Sequence, residues 1–107
     1  MKGTVKIMPE DELIPKVLQA VAGDNYAVYA YLNDGTVRIV DMKPMIDQGG
    51  VFEQLRDEEF FLSRLTVLND TVAWDLTGRH DPAECIDIDP FTVADMPVTA
   101  DPLEIVG

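Results

Sequence analysis

Residues 26–32 read YAVYAYL, with apolar side chains at every second position and places between them that are scarcely more polar. Side chains alternate faces along a strand, so Tyr26, Val28, Ala30 and Leu32 share one face while Ala27, Tyr29 and Tyr31 share the other. A strand that is largely apolar on both sides sits in the middle of a sheet, or has its second face covered by a helix or a partner. Asn33, Asp34 and Gly35 come next, residue types that tolerate positive φ in a tight hairpin turn. Residues 36–42 then resume with β-branched side chains, and a β-hairpin is predicted.

Upstream, IPKVLQAVAGDN supports two readings. Val17, Leu18 and Val21 have helical spacing, whereas Val17, Gln19 and Val21 line one side of a strand that turns at Gly23, Asp24 and Asn25. Downstream, KPMIDQGG predicts a turn or a single helical turn. DEEFFLSRL carries acids at its front and an arginine at its back, which complements a helix dipole. A short helix is predicted there, with Phe60, Phe61 and Leu65 toward the core and Asp57, Glu58 and Glu59 in capping and dipole roles.

LTVLNDTVAWDL predicts a second hairpin around Asn69-Asp70, with Leu65 and Val67, then Val72, Trp74 and Leu76, on one face. TGRHDPAECIDIDP reads as a loop leading to a short strand or turn around Ile86 and Ile88. The closing MPVTADPLEIVG holds two prolines and is either an irregular appendage or an edge segment. These elements add up to an α+β fold, a small antiparallel sheet with one or two short helices packed on it.

Composition narrows the setting. A chain of 107 residues, 47% apolar and 26% charged, is one globular domain. No apolar run approaches the roughly 20 residues that span a bilayer, and the first residues lack a secretory pattern, so a cytoplasmic protein away from membranes is expected. Cys85 is the only cysteine, which excludes an internal disulfide and fits a reducing compartment. Twenty acidic against eight basic residues give a net charge of −12. That charge opposes a phosphate backbone and argues against nucleic acid as a partner. It is compatible with a basic protein partner, and it also keeps monomers soluble and mutually repelled.

The densest chemistry lies in GRHDPAECIDIDP, where His80, Asp81, Glu84, Cys85, Asp87 and Asp89 fall within ten positions. Carboxylates on one loop suit calcium or magnesium, but the spacing is wrong for an EF-hand. Zinc would find only His80 and Cys85 as softer ligands. A solvated acidic loop with Cys85 packed as a small apolar residue explains the same residues. A Cys85–His80 nucleophile pair matches no known nucleophile turn. Gly49-Gly50 lacks the spacing and the lysine of a phosphate-binding loop. No catalytic residue, metal or cofactor is expected. Phe52, Phe60, Phe61 and Trp74 suit a core, whereas Tyr29 and Tyr31 share a strand face and suit an interface.

Together, IPKVLQAVAGDNYAVYAYLNDGTVRIVDMKPMI, GGVFEQLRDEEFFLSRLTVLNDTVAWDL and CIDIDP resemble the bacterial family known as domain of unknown function 2442. The resemblance covers residues 14–90, leaving an N-terminal extension over 1–13 and a C-terminal tail over 91–107. It implies that KVLQAVA is a first strand, followed by a three-stranded meander, a helical crossover and a second hairpin ending at Trp74. It brings no agreed catalytic or ligand residues. Some similar chains carry a helix-turn-helix after the domain or sit in small gene pairs, which implies regulatory or antitoxin-like roles. No such helix pattern follows Pro90 here, so direct DNA reading is not expected. The leading expectation is a non-catalytic interaction module, self-associating or bound to a basic protein. The alternatives are a metal- or small-ligand-binding protein using residues 80–89, and an acidic antitoxin-like partner.

Overall fold

The computed structural model describes residues 14–104. The expected N-terminal extension over residues 1–13 lies outside the described residues, as do residues 105–107 at the end of the expected tail. Among the described residues the architecture is α+β, with seven short strands in two antiparallel sheets and short helices between them.

The segment with two possible periods is a strand, β1 (Val17–Ala22). It pairs with β2 (Ala27–Leu32) through Val21 opposite Tyr29 and Ala20 opposite Ala30, with a bulge between Val17 and Gln19. The β1–β2 turn places Asn25 and Tyr26 at φ of 56° and 64°, strained for a residue as bulky as tyrosine. Tyr26 is held there by its ring, which meets Phe61 edge-on at 5.1 Å, and by its hydroxyl, which donates to the Arg56 carbonyl at 2.6 Å. The predicted hairpin then forms between β2 and β3 (Val37–Asp41), with Gly35 at φ 89°. Asn33 does more than turn the chain, since its side chain accepts from Lys16 N and donates to the Ile14 carbonyl, pinning the approach to β1.

After β3 come α1 (Lys43–Gln48), a 3-10 helix (Gly50–Arg56) and α2 (Glu58–Arg64). Asp57 caps α2 as expected, accepting from Glu59 N and Phe60 N. The second predicted hairpin pairs β4 (Leu65–Leu68) with β5 (Thr71–Asp75) across Asn69 and Asp70, both with positive φ as a two-residue turn requires. It does not extend the meander. It forms a second sheet with β6 (Cys85–Asp87), in the order β4-β5-β6. A hydrogen bond from Val17 N to the Asp70 carbonyl, 2.8 Å, ties the first sheet to the turn of the second.

Beyond Pro90 the chain continues in regular structure. Helix α3 (Pro90–Ala94) puts Val93 into the core, and β7 (Val98–Thr99) pairs with Val37 and Arg38 at the outer edge of β3. One core serves both sheets. Val28, Ala30 and Leu32 meet Val72, Trp74 and Ile86 there, with Leu55 and Phe61 from the crossover. The face alternation expected for residues 27–32 is the one observed, and β5 is buried along its whole length as the middle strand of its sheet. Leu76 departs from its expected place beside Val72 and Trp74. It follows the end of β5 and is 37% exposed, because the chain turns at Asp75. No described helix is long and apolar enough to cross a membrane.

Candidate functional site

Tyr29 and Tyr31 lie on the face of the meander turned away from the core, and both are half-buried. Their cover comes partly from nearby and partly from the far end of the chain. The Tyr29 ring lies over Gly23, where an added Cβ would come within 2.7 Å of it. The Tyr31 hydroxyl donates to the Asp101 carboxylate, just before a last 3-10 turn (Pro102–Glu104). Opposite them on β3 stand Ile39 and Val37.

The residues singled out between 80 and 89 do not converge. His80 is exposed, with φ of 59°. Asp81 accepts from Ala83 N, Asp87 from the Asn69 side chain at 3.4 Å, and Asp89 from Phe91 N as the cap of α3, while Glu84 stands in solvent. Asp81 and Asp89 thus organise their own stretches of backbone, and Asp87 ties its strand to the β4–β5 turn. Among the described residues, no three His, Cys, Asp or Glu side chains come together to hold a metal ion. Cys85 is half-buried and its thiol donates to the Pro82 carbonyl at 3.6 Å, not to His80. Burial pushes the thiol's pKa up, and the negative charges of Asp87, Asp75 and Asp81 push it further. The thiolate is the nucleophile, so at neutral pH Cys85 should be alkylated more slowly than free cysteine. A labelling rate equal to that of the free amino acid would contradict this.

A concavity lies elsewhere, a cleft of about 430 Å³ lined by Ser63, Arg64, Leu65, Thr66, Asp75, Gly78 and His80. It forms where α2 runs straight into β4 and where β5 ends, because the register sets Leu65 opposite Trp74 and so brings Arg64 alongside Asp75. Asp75 is 8% exposed. One carboxylate oxygen accepts from Thr77 N, Gly78 N and the Thr77 hydroxyl at 3.0, 3.1 and 3.3 Å, and the other from His80 N at 2.8 Å. Burial acts to raise its pKa, but these hydrogen bonds outweigh it and hold the group below the usual carboxylate range. Arg64 donates from Nη1 to the Asp75 carbonyl at 3.2 Å, and its guanidinium lies 5.8 Å from the Phe60 ring centroid.

Of the cleft residues, the sequence marks only His80 as a candidate for chemistry, and Leu65 only as a core position. The available signal was Asp75-Leu76-Thr77-Gly78, in which an aspartate precedes a threonine and a glycine at the spacing by which a side chain captures following backbone N–H groups. The contribution of Ser63, Arg64 and Thr66 depends on strand pairing and has no local signature.

Compared with known proteins, residues 17–95 match the model of a family described as "Protein of unknown function (DUF2442)". Neither the curated proteins nor the solved structures yielded a match.

Proposed function

The chain belongs to the DUF2442 family, and from that premise we propose that it is a non-catalytic cytoplasmic interaction module whose acidic surface receives a basic protein partner. What supports the reading is where the cations are spent. Arg38 donates to the carbonyls of Ala94 and Met96, Arg56 to that of Ile46, and Arg64 to that of Asp75. The ion pairs Arg38–Asp34 and Arg56–Asp47 are both long, at 3.8 Å, and partly exposed, the kind that contributes little. Carboxylates such as Glu53, Glu58, Glu59 and Asp70 stand in solvent, so the net charge of −12 is displayed at the surface with little local pairing. A field of one sign speeds encounter with an oppositely charged partner and opposes a second copy. An antitoxin-like role is the special case in which the basic partner is held inactive.

The test is recovery of the full chain after gentle lysis at low salt. A basic protein in stoichiometric association, released as salt rises through the range where surface charges are screened, is the expected result. Recovery alone, or with an acidic partner that salt does not release, would overturn the reading. A melting temperature raised by calcium, magnesium or zinc would favour the ligand-binding alternative instead.

A further inference from the structure

The cleft between α2 and the end of β5 is lined by one cation and one carboxylate, Arg64 and Asp75, and so escapes the negative excess of the chain as a whole. Both oxygens of its one carboxylate, Asp75, are engaged, one accepting from Thr77 and Gly78 and the other from His80 N. The other polar side chains that line it are donors or can donate. Arg64 uses one of its N–H groups on the Asp75 carbonyl. Its remaining donors, the hydroxyls of Ser63 and Thr66, and the His80 ring have no hydrogen-bond acceptor among the described residues. Gly78, at φ 78°, lies against the guanidinium, and a Cβ there would sit 3.4 Å from Arg64 Nη1. Packing between Gly78 and Phe60, and the bond to the Asp75 carbonyl, hold the planar fork in place on the cleft wall. A surplus of donors around a fixed guanidinium is complementary to a ligand that only accepts.

The geometry points to a binding site for a single oxyanion, a carboxylate or phosphate group, in this cleft, with Arg64 as the charged anchor and Ser63, Thr66 and His80 as further donors. The site does not rest on the acidic-surface reading, because its ligand has the opposite charge and Arg64, which both invoke, gives only one of its donors to the Asp75 carbonyl. The net negative charge of the protein and the Asp75 carboxylate both work against the anion, so binding is expected to be weak and to need a ligand that engages several donors at once.

The experiment is a titration of the full chain with inorganic phosphate, acetate and chloride at matched ionic strength, followed by the backbone amide resonances of Ser63, Thr66, Gly78 and His80. The expected result is saturable shifts confined to these positions with phosphate or acetate and not with chloride. Tighter saturation by phosphate identifies a phosphate-bearing ligand, and tighter saturation by acetate a carboxylate. In Arg64→Gln, half-saturation should require about tenfold more anion, the loss expected for a charge-assisted hydrogen bond. The Trp74 indole resonance reports whether the variant is folded. If it is not, Arg64→Lys, which keeps the charge and loses the fork, should weaken binding several-fold. Shifts that are linear and alike for all three anions, or saturation unchanged in a folded Arg64 variant, would overturn the proposal.

Discussion

Trp74→Ala is expected to destabilise the protein by about 3–5 kcal/mol, enough to bring a small domain, whose total stability is typically ~5–15 kcal/mol, close to its unfolding midpoint. Trp74 is fully buried in the middle strand of the second sheet. Its ring lies 5.4 Å from that of Phe61, and its indole Nε1 donates to the Phe61 carbonyl at 3.0 Å. That carbonyl belongs to the last turn of α2, where a helix has no donors of its own left to offer. The tryptophan therefore fills the core shared by both sheets and also terminates the crossover helix. Trp74→Phe separates the two roles. It keeps an aromatic ring but leaves the buried carbonyl without its donor, a loss of about 1–3 kcal/mol beyond the smaller ring. Urea titrations followed by far-ultraviolet circular dichroism read both variants without needing the indole signal. An alanine variant with the wild-type midpoint would show that the core does not depend on this residue.

The parts of the fold that were legible in the sequence are those set by local geometry. Residues 27–32 alternate as a strand must, and Asn33-Asp34-Gly35 and Asn69-Asp70 supply the backbone their turns demand. VLQAVA fits both helical and extended spacing, and its state is decided by distant groups: the β2 backbone and the Asp70 carbonyl that receives Val17 N. The division into two sheets likewise has no local cause, since a hairpin carries no mark of which edge it will join. A period of two carried past Asp75 misplaces Leu76, because it no longer applies there. Strand β5 ends at Asp75, whose side chain gathers the N–H groups of Thr77, Gly78 and His80 and turns the backbone away. The same event hid the cleft. Reading along the chain picks out the dense carboxylates of residues 80–89, whereas the cleft draws on residues 63–66 and 75–80, joined by strand register.

Because so much of that turn hangs on one carboxylate, Asp75→Asn should be the most damaging polar substitution in the cleft. An amide keeps one acceptor oxygen but presents N–H where Asp75 accepts, so at least one of the Thr77, Gly78 and His80 amides must face another donor. The expected result is a melting temperature lower by several degrees, with faster amide exchange confined to residues 77–80 if the turn opens locally. The acid dependence gives the sign. The folded-state pKa of Asp75 lies below its unfolded value, as does that of Asp34, lowered chiefly by its hydrogen bonds with the Thr36 hydroxyl and N–H and further by Arg38. Their stabilisation is fully present above the ordinary carboxylate pKa of about 3.9, and it is lost as pH falls through the lower folded values. Wild type and Asp75→Asn should therefore differ most near neutral pH and converge in acid, whereas Asp75→Glu, with the charge retained but displaced by a methylene, should keep the acid slope at a lower midpoint. A stability gap between wild type and Asp75→Asn that stays constant through the acid range would mean that the ionised carboxylate is not what holds the turn.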